Sequence, residues 1–109
     1  MRNAKAVRQF CNTLDGLQGG IPMYRDGIDE FLLSHGYPRY MEEVEAIRDG
    51  LEDLGLYEMV RDAIGQSEVL VREGKFEEAE MLVLEANREL SKASGVEDGL
   101  RRVYKAAND

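Results

Sequence analysis

The stretch LYEMVRDAIGQSEVLVREGKFEEAEMLVLEANREL, residues 56–90, decides the fold. Wound at 100° per residue, Leu56, Met59, Val60, Ala63, Ile64, Ser67, Leu70 and Val71 fall within an arc of roughly 140°, the apolar stripe of a helix with one face against a core. Phe76, Ala79, Leu82, Val83, Ala86, Leu90 and Ala93 make a second stripe of the same kind. Gly74 separates them, and glycine is the residue that can take the left-handed conformation at a helix end without a Cβ penalty. Glu77, Glu78 and Glu80 crowd the first turn of the second helix, where carboxylates favour the positive end of the dipole. The stretch therefore reads as an antiparallel helical hairpin.

Within it, Ser67, Leu70, Gly74, Phe76, Ala79, Val83 and Ala86 resemble a single tetratricopeptide repeat. The resemblance covers about a third of the chain and implies small residues where the two helices cross and an aromatic just after the turn. Ala63 stands where that repeat has Trp, Gln66 and Ser67 replace its Leu-Gly pair, and Ser91 stands where a Pro closes the unit. No second copy follows, whereas such repeats bury a continuous core with about three units.

The same punctuation extends outward. A helix is expected from about Asn3 to Gln18 on Val7, Phe10, Leu14 and Leu17, ended by Gly19-Gly20. Pro22 suits the first turn of a second helix running to about Ser34 and burying Tyr24, Ile28, Phe31 and Leu32. Gly36 closes it and Pro38 opens a third, to Asp53, with Tyr40, Val44, Ile47, Leu51 and Leu54 on one side. Gly55 leads into the hairpin. After Gly95 a last helix over 96–107 would bury Val96, Leu100, Val103 and Tyr104, with Arg101, Arg102 and Lys105 near its carboxyl end. Glycines at 16, 27, 50, 65 and 99 fall inside helices and read as points of close crossing. No run alternates apolar and polar residues as a strand would. The expected architecture is all-α: one domain, residues 1–109, a compact bundle of five to six short helices joined by tight Gly/Pro turns.

The net charge of −8 is concentrated. Between Asp26 and Glu58 stand ten acids and two bases, Arg39 and Arg48, so the rest of the chain is neutral. This field opposes nonspecific nucleic-acid binding, which needs clustered Lys and Arg, and equally opposes anionic membranes. No apolar run approaches the ~18 residues of a membrane span. Arg8, Gln9, Asn12 and Asp15 interrupt any signal-peptide core. One cysteine, Cys11, allows no internal disulfide and suits a reducing cytoplasm; at the edge of an apolar face it reads as a packing residue.

Three features carry possible function. Glu42, Glu45, Asp49, Glu52 and Asp53 lie within an arc of about 100° on the third helix: a solvated face, a docking strip for a basic partner or, third, a divalent-metal site, though hard cations favour oxygens converging from loops or several elements. Unopposed, such a strip is mildly destabilising. Val69, Met81 and Leu84, with Leu33, point away from their helices' buried arcs; they either pack on neighbours or form an exposed groove, to which Met brings adaptable contacts. The lone histidine, His35, lacks the Glu-x-x-His spacing of carboxylate metal sites and reads as a helix-terminal residue near the negative end of the dipole. No nucleophile–base pair, metal set or phosphate loop appears, so neither enzyme nor cofactor is expected. The leading expectation is a cytoplasmic protein-interaction module, an adaptor, chaperone-like or accessory subunit, that uses the apolar patch and the acidic strip. The alternative is a homo-oligomer using the patch on itself, with a small enzyme or metal-binding protein third.

Overall fold

In the computed structural model, which describes residues 2–24 and 32–95, five α-helices follow one another: α1 (Ala4–Gly20), α2 (Tyr37–Ala46), α3 (Arg48–Asp53), α4 (Tyr57–Arg72) and α5 (Phe76–Ser94). A 3-10 turn, Ile21–Tyr24, follows α1, and a π-helical turn, Leu32–Gly36, runs straight into α2. There is no strand among the described residues, and the fold is an all-α bundle. The expected helix 22–34 lies largely outside the described residues, and the helix 96–107 lies wholly outside them.

The hairpin forms as its two stripes demand. Gly74 has φ 79°, the Lys75 N–H donates to the Leu70 carbonyl at 2.8 Å and the Gly74 N–H to the Val71 carbonyl at 3.0 Å. Those two bonds satisfy the last carbonyls of α4 and reverse the chain within three residues. Leu56 and Gly55 close α3 the same way on Leu51 and Glu52, both at 2.9 Å.

α5 is the central element, packed on α4 along one side and on α1 along another. Val83 and Leu90 on α5, Val60 and Ile64 on α4, and Val7 and Leu14 on α1 are sealed from solvent. The side of α5 facing α1 carries a polar seam: Cys11 Sγ lies 3.8 Å from Ser94 Oγ, Asn87 Nδ2 donates to Asp15, and Gln18 Nε2 donates to Glu80 at 3.1 Å. The α1 numbers rise as the α5 numbers fall, so these helices run antiparallel. Cys11 is buried at 2% exposure and is a packing residue in this seam.

Several boundaries differ from the sequence reading. α1 continues through Gly19 and Gly20, because Ile21 is itself fully buried and still helical, its N–H bonding the Leu17 carbonyl. Gly36 does not stop a helix; its φ of −66° is right-handed, and a π turn carries the chain into Pro38. Proline has no N–H for the carbonyl four residues back and its ring presses on that carbonyl, and a wider turn relieves both. His35 is thus not at a helix end.

The expected helix 38–53 breaks at Ile47, φ −111° and ψ 16°, whose N–H is shared between the Glu43 and Val44 carbonyls at 3.2 Å each. The break lets α2 lie on α4 while α3 turns to α1. There Gly50 meets the chain's beginning: a Cβ at this position would stand 2.2 Å from the Arg2 carbonyl oxygen and 2.7 Å from Val7 Cγ2. Gly50 is a real crossing point. Gly16 and Gly65 are not, since nothing lies within 4 Å of the space a Cβ would take. Gly27 and Gly99 fall outside the described residues.

Candidate interaction surface

All five carboxylates of the expected strip reach solvent, but the kink at Ile47 divides them between two helices. Arg48, between them, reaches Glu45 at 3.7 Å and Glu52 at 2.6 Å. Arg2, from the far end of the chain, lies 3.7 Å from Asp49 and 2.9 Å from Asp53, and its backbone N–H adds a bond to Asp53 at 2.7 Å. The Tyr57 hydroxyl donates to Glu45, and the Arg48 guanidinium sits 4.4 Å over the Tyr57 ring. Hydrogen bonds from the Arg2 side chain and backbone hold the Asp53 carboxyl below its ordinary 3.8, at about 2. Four of the five carboxylates, Glu45, Asp49, Glu52 and Asp53, are therefore opposed from within the fold, which meets the condition under which the strip is not destabilising. Arg2 was the missing term, and no local pattern connects it to residues some fifty positions away.

The off-face apolar residues separate into three fates. Leu33 is buried, 9% exposed, in the π turn. Leu84 is half-buried; it lies one turn from both Glu80 and Asn87, the residues that face α1. Val69 and Met81 are exposed, at 53% and 50%, the only large apolar side chains so open among the described residues. On Met81's side of the hairpin a shallow cleft of about 470 Å³ runs between α4 and α5, lined by Leu70, Met81 and Leu82 with Glu77, Glu78 and Glu85. The lining of this cleft includes none of the carboxylates of α2 and α3, so the sequence-predicted site is divided between two places on the fold.

A second concavity, of about 740 Å³, opens between α1 and α2, with Thr13, His35, Arg39, Tyr40 and Glu43 on its walls. It adjoins a smaller hollow of about 240 Å³ floored by Phe10 and Ile47. Arg39 is paired with Glu43 at 3.4 Å, and His35 Nδ1 is 2.8 Å from Ser34 Oγ. This hollow was not legible in the sequence, because its walls come from helices that share no motif and meet only through the bundle.

Among the described residues no group of three or more His, Cys, Asp or Glu side chains converges as metal ligands would, and no helix is long and apolar enough to cross a membrane. Every buried side-chain polar atom among them has a hydrogen-bond partner. The Ser67 and Tyr37 hydroxyls bond at 3.0 Å beneath α2, and burial pushes the Tyr37 phenol up from 10.0 to about 12. Comparison of the chain with protein-family models, with curated proteins and with solved structures finds no match.

Proposed function

We propose that this protein is a protein-interaction module whose docking face is the outer side of the α4–α5 hairpin. The observation that supports the reading is the exposure of Met81 on an open apolar cleft, with Val69 exposed on the same hairpin, while the other large apolar side chains among the described residues are buried at least in part. Exposed apolar surface rimmed by polar groups costs solubility and is commonly an interface. The α2–α3 carboxylates, already tied to Arg2 and Arg48, are left the lesser part of supporting the fold.

The test compares the wild type with Val69→Glu and Met81→Glu as baits in the native host, after circular dichroism has shown that both variants keep their helix content. A protein captured by the wild type and lost from both variants is the expected result. Identical captures from all three would remove this face from the function.

A further inference from the structure

Resting on that reading, we infer that the α4–α5 cleft takes a basic amphipathic helix. Its floor is apolar, Leu70, Met81 and Leu82, and its rim is Glu77, Glu78 and Glu85. Lys75 is paired with Glu73 at 3.4 Å and Arg72 with Glu68 at 3.7 Å, so the bases nearest the hairpin turn are committed elsewhere than to Glu78 and Glu85. A helix with apolar residues at i, i+3, i+4 and i+7 lays its stripe along a groove between two helices, and Lys or Arg flanking the stripe would meet the glutamates. Further along α5, exposed Arg88 and Lys92 reverse the sign. The occupant's basic residues therefore cluster at the end nearest the Gly74 turn.

The probe is a labelled 18-residue synthetic peptide with leucines in that spacing and lysines elsewhere, titrated with the full-length protein in fluorescence anisotropy; a second peptide carries glutamates in place of the lysines. Only the lysine peptide should bind. Its affinity should fall at least tenfold in Met81→Glu, fall at least tenfold in the double variant Glu78→Lys/Glu85→Lys, and weaken as salt is raised. Glu43→Lys, a reversal on α2, should change it less than twofold. If Met81→Glu abolishes binding while the double reversal does not, or if both peptides bind alike, the occupant is not basic and this inference fails while the interaction face stands. If no variant on α4 or α5 alters binding, both fail.

Discussion

Gly65 and Gly74 sit nine residues apart and should answer the same substitution with opposite signs. At Gly74 there is free space but a φ of 79°, so alanine meets no neighbour and is strained by its own backbone; Gly74→Ala should lose about 1 kcal/mol in chemical denaturation. Gly65 has free space and an ordinary helical backbone, so Gly65→Ala should gain up to about 1 kcal/mol by restricting the unfolded chain. Gly50→Ala stands apart, since its Cβ would collide with the Arg2 backbone; it should cost at least as much as Gly74→Ala and loosen the chain's first residues from α3. Equal stabilities for the three variants would mean that none of these backbone assignments holds. Gly74 was legible because the apolar periodicity halts on both sides of it. Gly50 was read as a crossing point, but so were Gly16 and Gly65, because sequence spacing cannot say which glycine a distant segment will reach.

At the scale of elements, the α2–α4 contact has a chemical signature. The Tyr37 phenol stays neutral in the folded protein up to about pH 12, whereas in the unfolded chain it ionises near 10.0. Its folded value is raised, so its contribution is complete below pH 10 and is lost as pH rises from 10 to 12, by about 2 kcal/mol at most. Tyr37→Phe should flatten that alkaline loss while leaving Ser67 its bond to the Ile64 carbonyl at 2.8 Å. Melts at pH 9 and pH 11 on both proteins measure the difference. The helices themselves were readable from their 3.6 period, yet the division into α2 and α3 was not. Tyr40, Val44, Ile47, Leu51 and Leu54 keep their three- and four-residue spacing straight through the break. Ile47 remains buried on both sides of the kink, so the apolar pattern is blind to the change of axis.

Across the whole molecule, the acidic segment is opposed by one cation from far along the chain, Arg2, and by the local Arg48. The triple variant Glu45→Lys/Asp49→Lys/Glu52→Lys would face Arg48 and Arg2 with new positive charges and strip Tyr57 of its acceptor. Its melting temperature should fall by several degrees at low ionic strength, with a smaller deficit at high salt as the pairs and repulsions are screened. A melting point at or above wild type would restore the view of the strip as simple self-repulsion. The proposed interaction surface was half visible: Val69 and Met81 stand off their helical arcs in the sequence, but only the packing of α1 on α5 separates Leu84 from them. In sedimentation at micromolar concentration the isolated chain should run as a species of about 12 kDa, because exposed large apolar side chains among the described residues are confined to Val69 and Met81.

The α1–α5 seam also fixes how this protein ages. Asn87 donates its amide to Asp15 in a partly buried setting, and hydrolysis of that amide would replace the donor with a second carboxylate. The bond would become a confrontation of like charges, at a cost of about 1–3 kcal/mol near neutral pH. Asn87→Asp reproduces the damaged molecule, and chemical denaturation at neutral pH should show that deficit against the wild type. The seam that sets the register of the bundle is thus also its chemical clock, one that the helical backbone around Asn87 keeps slow.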